Sequence, residues 1–265
     1  MNKALSCLLP ALAWMLACLA PAVAQPQAHQ ALRVGIYPNN TPWEFYDPTG
    51  KLVGFEIDTL AAISRRLNMP LTFEPMPFRE LFTAIADGRI DIAASTITVT
   101  GERAARFDFT QPYYRTSQGF VVMKGGPIRG LKDLAGKAVA AQDGSTNEQW
   151  LEANRAQYGG GPTVPSEGID QALAMLANGT VDAYFGDLPS LLFQLLKRPD
   201  LAVVARLPTD DGYALLLAKG SPLTARVDDA LGAIKTDGTL ATIHEKWFGS
   251  RPEPGSPVIT VLKRP

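Results

Sequence analysis

Short apolar runs alternate with amphipathic segments along the first third of the chain. Residues 32–37, 71–73 and 90–94 are runs of the kind that forms strands. Between them, residues 57–67 and 78–87 carry apolar side chains at helical spacing. The near-continuous apolar run at 90–94 is typical of a strand covered on both faces. This order predicts an open parallel sheet flanked by helices.

The same alternation returns in the second half of the chain. We predict strands at 137–141, 181–185 and 212–218 and an extended crossover segment at 118–124. Ser145 or Thr146 can cap a helix that runs to about residue 157. Further helices are predicted over 169–178, from the end of the third strand to 195, and over 222–236 and 240–248.

Two α/β units fit this length better than one. We expect an α/β fold of two lobes, each an open sheet flanked by helices. Lobe 1 would comprise residues 30–117 and 213–249, and lobe 2 residues 118–212. A hinge is expected where the chain crosses, at 116–121 and 204–212. Residues 250–265 are rich in proline and lack helical periodicity, which predicts a loosely attached tail.

The first 24 residues have the pattern of a secretory signal peptide. Lys3 precedes an apolar run, and Ala22-Val23-Ala24 supplies a small-residue site for cleavage after Ala24. A membrane-spanning helix is the alternative, but Pro10 and Pro21 interrupt the run. Lipid attachment at Cys18 ranks behind cleavage. The pattern predicts export to the periplasm and no membrane insertion after cleavage.

Composition removes several classes of function. The chain has 265 residues, 46% hydrophobic and 19% charged, with a formal net charge of −1. This near-neutral balance gives no electrostatic reason to bind nucleic acid. Only two histidines and two cysteines occur, and both cysteines precede Ala24. Zinc, haem and iron–sulfur sites are therefore nearly excluded, and no cofactor is expected.

Polar side chains follow the predicted strand at 90–94. Ser95, Thr96 and Thr98 supply hydroxyl groups there, and Arg103 follows on the same segment. Hydroxyls, free backbone N–H groups and an arginine fork suit a carboxylate. The alternative is an ordinary loop in which Arg103 pairs with Glu102 or Asp108 in water.

The second unit offers matching candidates. Gln142, Ser145 and Thr146 lie in a turn between a strand and a helix, where N–H groups and hydroxyls can meet an anion. Asp187 follows the strand at 181–185, where its carboxylate can hold an ammonium group. Simple capping of the following helices is the alternative for both places.

These segments together resemble the periplasmic solute-binding proteins of the polar amino-acid type, the family 3 extracellular solute-binding proteins of ABC importers. The match extends over nearly all of the chain after residue 31. Its most specific segment reads Ile97-Thr98-x-Thr100-x-Glu102-Arg103, continued by Asp108-Phe109-x-x-Pro112-Tyr113. Other matching segments are Leu52-x-Gly54-Phe55-x-Ile57-Asp58, Gly144-Ser145-Thr146, Val181-Asp182-Ala183, Asp237-Gly238-Thr239 and Lys246-Trp247-Phe248-Gly249.

The resemblance implies a Venus-flytrap protein that closes on one free amino acid and delivers it to the permease subunits of an ABC importer. It also implies a monomer. In such proteins the arginine matched by Arg103 clamps the ligand's α-carboxylate, and the acid matched by Asp187 takes the α-ammonium group. Contacts to the ligand's head group are implied for Ser95, Thr96, Thr98 and, from the second lobe, Thr146.

The expected pocket for the ligand's side chain departs from the family pattern. Members that bind basic amino acids often carry an acid after the first strand and an aromatic residue three positions later, where this chain has Tyr37 and Asn40. Because a buried cation needs a carboxylate, a neutral polar or aromatic amino acid is expected. Phe78 and Trp43 can pack on that side chain, or simply belong to the core.

A second reading is an exported enzyme. Cyclohexadienyl dehydratases, which act on prephenate or arogenate, share this fold, and the turn Gly144-Ser145-Thr146-Asn147-Glu148 resembles theirs. Dehydration needs a positioned general acid. Leu188-Pro189-Ser190 follow Asp187 where that acid is expected, which leaves Glu148 as the substitute candidate. Binding without catalysis is therefore the preferred reading.

Overall fold

The computed structural model describes residues 31–265. The predicted signal peptide, its cleavage after Ala24 and the alternative at Cys18 lie outside these residues. Within 31–265, no helix combines the length and the apolar character needed to cross a bilayer.

The secondary structure alternates strands and helices in nearly the predicted order. The strands are β1 (Leu32–Ile36), β2 (Asn39–Asn40), β3 (Glu44–Tyr46), β4 (Leu52–Val53), β5 (Leu71–Pro75), β6 (Ile92–Ala93), β7 (Phe107–Phe109), β8 (Tyr114–Arg115), β9 (Gln118–Met123), β10 (Val139–Gln142), β11 (Thr163–Ser166), β12 (Ala183–Asp187), β13 (Leu201–Leu207), β14 (Gly212–Tyr213) and β15 (Leu216–Ala218). The helices are α1 (Phe55–Leu67), α2 (Phe78–Ala86), α3 (Gly101–Arg106), α4 (Thr146–Tyr158), α5 (Ile169–Ala177), α6 (Leu188–Leu195), α7 (Leu223–Thr236) and α8 (Thr239–Phe248), with a 3-10 turn at Leu131–Leu134.

The first sheet has the strand order β5-β1-β6-β15-β7. Strand β1 is parallel to β5 and β6, so the predicted parallel arrangement is confirmed. Strand β15 returns from the far end of the chain and is antiparallel to β6 and β7. Helices α1, α7 and α8 cover one face, and α2 covers the other. Both faces are buried, which explains the continuous apolar run at 90–94.

The second sheet has the order β11-β10-β12-β9-β13. The crossover segment forms β9, which is antiparallel to its neighbours β12 and β13. Strand β11 was not predicted, and β13 begins and ends earlier than the crossing expected at 204–212. The predicted strand at 212–218 is wrong as one element, because β14 pairs with β8 while β15 joins the first sheet. The two-lobed α/β fold is nevertheless confirmed.

The chain passes between the two sheets through a short two-stranded ladder. Arg115 is opposite Gly212, and Tyr114 is opposite Tyr213. Just beyond it, the Thr116 amide donates to the Asp211 carbonyl at 2.9 Å. The two crossings therefore lie side by side, close to the segments predicted to act as a hinge. Motion about this ladder stays a prediction.

The expectation of a loosely attached tail at 250–265 is wrong for residues 258–262. Val258 is only 2% exposed and joins the core of the first lobe. The amide of Leu262 donates to Gln111 Oε1 at 3.0 Å, and Lys235 Nζ donates to the Thr260 carbonyl at 3.1 Å. One apolar anchor and a few hydrogen bonds hold this segment, and neither leaves a periodic signal in the sequence.

Candidate functional site

Arg103 reaches from the first lobe to the second. It lies on α3, whose cap Thr100 accepts a hydrogen bond from the Arg103 amide at 3.2 Å. Its guanidinium donates from Nη1 to the Thr98 carbonyl at 2.9 Å and from Nη2 to the Gly144 carbonyl at 3.1 Å. The residue is only 8% exposed. The alternative of an exposed ion pair with Asp108 does not hold, because that carboxylate pairs with Lys219.

Burial changes the acidity of Arg103 without removing its charge. Desolvation lowers the pKa of the guanidinium to about 10, and the nearby carboxylates of Glu102, Asp187 and Asp211 oppose that fall. The group therefore remains protonated at neutral pH. A buried cation held by neutral carbonyls attracts an anion strongly, because little water screens it.

Asp187 lies at the end of β12, where α6 begins. Its position is that of a helix cap, but its side chain accepts no hydrogen bond from α6. Instead Oδ2 accepts from the Tyr213 hydroxyl, and Oδ1 accepts from Asn147 Nδ2 at 3.2 Å. Burial raises the pKa of Asp187 to about 6, although both hydrogen bonds favour the ionised form. The carboxylate is therefore charged at pH 7, at a cost that a cation nearby would relieve.

Arg103 on α3 and Asp187 at the end of β12 come from opposite lobes. Each affects the pKa of the other through its charge. Among residues 31–265 they form no direct salt bridge, since their hydrogen bonds go to carbonyl, hydroxyl and amide groups. Two opposite charges that are buried, close and not joined suit a dipolar molecule placed between them.

The loop after β6 contributes its predicted residues in different ways. Ser95 Oγ donates to Glu44 Oε1 at 2.6 Å, so its proton points into the core. Thr96 has a φ of 48° and accepts at Oγ1 from Asn40 Nδ2 at 3.0 Å. Thr98 is buried and bridges to Tyr213 beside the junction of the lobes. Of these three residues, only Thr98 contacts Arg103 in the described part of the chain, and it does so through its carbonyl.

The turn before α4 is held mainly by its own hydrogen bonds. Ser145 caps α4 by accepting from the Glu148 amide at 3.1 Å, which confirms the capping prediction. Gln142 Nε2 donates to the Glu167 carbonyl at 3.0 Å. Thr146 is the first residue of α4 and lies two positions after Gly144, whose carbonyl Arg103 contacts. Gln142 and Ser145 thus use their side chains within lobe 2, and Thr146 is half-buried.

The residues expected around a ligand's side chain split into two groups. Phe78 and Tyr37 are both buried, and Arg103 Cζ lies 5.8 Å from the Phe78 ring centroid. Tyr37 packs against Gly168 of lobe 2 so closely that a Cβ atom added at Gly168 would lie 2.6 Å from the Tyr37 hydroxyl. Trp43 is fully buried among Phe55, Tyr114, Tyr213 and Phe248, so it belongs to the core. Its indole nitrogen donates to Ser190 Oγ at 2.9 Å, which ties that core to α6.

Three neighbours of this site were missed by sequence reasoning. Tyr213 and Asn147 hold the Asp187 carboxylate, and Asp211 contributes charge near Arg103. Asn147 could have been found, since it directly follows Thr146 in the turn. Tyr213 and Asp211 carry no local signal, because folding brings them to the site from the return crossing.

An ion pair closes the rim between the lobes. Arg79 on α2 donates to both carboxylate oxygens of Asp143, at 2.6 and 2.7 Å, and lies 3.6 Å from Glu148. The side chains of Arg79 and Asp143 are 63% and 42% exposed. Water and salt therefore weaken the pair, and it contributes at most about 1 kcal/mol.

We expect Arg79→Ala to reduce amino-acid affinity by less than about fivefold, because an exposed pair stabilises the closed form only weakly. The loss should shrink further as salt is raised. Calorimetric titration at low and high salt measures both effects. Arg89→Ala is the matched control, since Arg89 pairs with Glu80 inside one lobe. A hundredfold loss in Arg79→Ala would contradict this account of the rim.

The sequence and the fold of this chain are both similar to those of known solute-binding proteins. A family model described as bacterial extracellular solute-binding proteins, family 3, matches residues 32–250. The amino-acid-binding protein AabA of Dichelobacter nodosus is 32% identical over 220 residues, which are 81% of this chain and 87% of that protein. The L-cystine-binding protein TcyJ of Escherichia coli (strain K12) is 30% identical over 228 residues, 83% of each chain. A solved structure of an ancestral arginine-binding protein bound to arginine superposes with a TM-score of 0.79 at 35% identity, covering 84% of this chain and 100% of that one.

Proposed function

Since the chain belongs to the bacterial extracellular solute-binding proteins, family 3, we propose that it grips one free amino acid by its two charged ends and delivers it to an ABC importer. The observation that carries this proposal is the placement of Arg103 and Asp187. A buried cation on one lobe and a buried carboxylate on the other fit the α-carboxylate and the α-ammonium group. Closing the lobes removes water from both contacts and strengthens them.

Binding of this kind is energetically feasible for so small a molecule. Micromolar affinity corresponds to about −8.2 kcal/mol. Spread over roughly ten heavy atoms, this stays below the ceiling of about −1.5 kcal/mol per atom for the best small ligands. Such efficiency requires a polar partner for every charged atom of the ligand. Donors from Arg103 and the turn before α4, with acceptors from Asp187, can supply this set.

We propose binding without catalysis. The substitute acid for a dehydratase, Glu148, is already used, since its Oε2 accepts from the Gly144 amide at 2.8 Å. Ser190, near the place where the acid was expected, accepts from Trp43 instead. The contacts of both residues support a structural role for them. The relatives reported above are likewise binding proteins.

The cellular setting of the proposal follows from the chain's organisation. Residues 1–24 would direct export, with cleavage after Ala24, and the rest would act as a monomer in the periplasm. Lobe 1 would comprise residues 30–117 and 213–249 together with the packed tail, and lobe 2 residues 118–212. The loaded, closed form would then dock on the permease subunits of the importer.

For the ligand's side chain we propose a neutral polar or aromatic group. Tyr37 and Asn40 stand where basic-ligand binders often carry an acid and an aromatic residue. Two carboxylates of lobe 2 act on Tyr37 through their charges: Glu167 is exposed, and burial raises the pKa of Asp170. Water screens Glu167, which is therefore a weak partner for a buried cation.

A thermal-shift screen with the twenty common amino acids and cystine tests the proposal. A ligand at about 100 times its dissociation constant adds about 2.7 kcal/mol of stability. For a protein of this size, that corresponds to a rise in melting temperature of roughly 5–10 °C. We expect such a rise with one or a few neutral amino acids. Arginine as the best ligand would contradict the side-chain assignment, and no shift with any amino acid, together with turnover of prephenate or arogenate, would overturn the binding function.

A further inference from the structure

Two glutamate side chains lie buried together beneath the loop that carries Ser95, Thr96 and Thr98. Glu44 on β3 is 0% exposed and Glu56 on α1 is 1% exposed. Their carboxyl groups are within hydrogen-bonding reach of each other. Neither residue belongs to the charged contacts proposed for the ligand. Two buried carboxyl groups in contact cannot both ionise without a large repulsion.

The hydrogen bonds of the pair are unequal. Both carboxylate oxygens of Glu56 have hydrogen-bond donors. They accept from the Thr96 amide at 3.1 and 3.2 Å, and Oε1 also accepts from the Tyr113 hydroxyl. Glu44 Oε1 accepts from Ser95 Oγ at 2.6 Å and Asn40 Nδ2 at 3.1 Å. Glu44 Oε2 is fully buried, and no donor reaches it.

A proton on Glu44 Oε2 resolves this imbalance. The oxygen then becomes a donor toward Glu56, and every polar atom of the pair gains a partner. The side chains that contact the pair are neutral at pH 7: Asn40, Ser95 and Tyr113. Tyr37, the other titratable group close to Glu44, is neutral as well. No cation in the described part of the chain balances a second negative charge there.

We propose that Glu44 and Glu56 share one proton at neutral pH, and that this pair is the positioning device of the ligand-binding loop. Through it, Ser95, Thr96 and Asn40 are fixed against the core of lobe 1. Burial and the charge of Glu56 both raise the pKa of Glu44 well above its ordinary value. That this loop binds a ligand rests on the function proposed above, whereas the shared proton does not depend on it.

The backbone of Thr96 shows why such a device is needed. Its φ of 48° is left-handed, which is costly for a β-branched residue. This conformation persists only if its surroundings hold it. The Glu56 carboxylate accepts from the Thr96 amide. Asn40, which also donates to Glu44, donates to the Thr96 hydroxyl, so Thr96 is held at its amide and at its side chain.

Infrared spectroscopy of the protein without any amino acid detects the shared proton. At pH 8 we expect the carbonyl stretch of a neutral carboxyl group, shifted by ¹³C-labelled glutamate and not by ¹³C-labelled aspartate. The label separates Glu44 from Asp187, whose pKa is raised to about 6. The band should vanish in Glu44→Gln, which has no carboxyl group at that position. Glu80→Gln, an exposed residue of α2, is the control that keeps the band.

Amide hydrogen exchange over residues 93–99 measures the positioning. Glu44→Gln keeps the donor and acceptor pattern of a protonated glutamate, so exchange should stay within about twofold of the parent protein. Glu44→Ala leaves Ser95 and Asn40 without their acceptor, and exchange should become about tenfold faster.

Absence of the glutamate band from the parent protein, or its survival in Glu44→Gln, would overturn the shared proton. Unchanged exchange in Glu44→Ala would overturn the positioning role. If Glu44→Ala does not fold, Ser95→Ala removes the same hydrogen bond from the loop side, and unchanged exchange in that variant would overturn the role equally. Because no amino acid is added, these results do not depend on whether the thermal-shift screen succeeds.

Discussion

Replacing Arg103 with alanine is expected to lower amino-acid affinity by at least about thirtyfold while the protein remains folded. Removing one partner of a buried charge pair costs about 2–5 kcal/mol of binding energy. The folded state loses the hydrogen bonds to the Thr98 and Gly144 carbonyls, but it also loses the cost of burying the guanidinium. Calorimetric titration measures the affinity, and circular dichroism checks the fold.

Arg106→Ala is the matched control for this variant. Arg106 lies on the same helix, is exposed, and stacks on the Phe107 ring instead of reaching lobe 2. We expect its affinity to stay within a few-fold of the parent protein. If Arg103→Ala and Arg106→Ala bind alike, Arg103 does not hold the ligand.

Replacing Asp187 with asparagine should abolish tight binding and, at pH 8, stabilise the ligand-free protein. The pKa of Asp187 is raised from its ordinary 3.8 to about 6 by burial, so the folded state holds its proton more tightly than the unfolded state. Stability from this group is complete below about pH 4 and is lost as the pH rises through about 6. At pH 8 the ionised group therefore costs up to about 3 kcal/mol, which asparagine avoids.

Melting temperatures at pH 4 and pH 8 test directly whether ionisation of Asp187 destabilises the folded protein. The variant should melt several degrees above the parent protein at pH 8 and close to it at pH 4. The stabilising effect of an amino acid should disappear from the variant at both values. Asp200→Asn is the control, since Asp200 is exposed and pairs with Arg198 at the far end of lobe 2. Equal stability of parent and Asp187→Asn at pH 8, with binding retained, would contradict the role of Asp187.

Local patterns predicted most of the elements that place the site. The apolar run at 90–94 and the helical stripes around it indicated a parallel core, and β1, β5 and β6 have that arrangement. Ser145 was predictable as a cap because its hydroxyl serves an amide three residues later. These features depend on neighbours in the sequence, which is why periodicity and capping residues reveal them.

Features that depend on distant residues left no such signal. The segment 212–218 divides into two strands because its first part pairs with β8 and its last part pairs with β7 of the first sheet. Tyr213 reaches Asp187 across the junction of the lobes, and Glu44 meets Glu56 and Ser95 only after β3, α1 and β6 pack together. The tail is held by Val258 and by contacts to Gln111 and Lys235. A single sequence shows such residues but not which of them meet.

The most direct test of the central claim is a crystal structure of the protein with the amino acid that gives the largest thermal shift. We expect the α-carboxylate to receive two hydrogen bonds from the Arg103 guanidinium, and the α-ammonium group to donate to Asp187. An amino acid bound elsewhere, or bound with its charged ends away from both residues, would contradict the account.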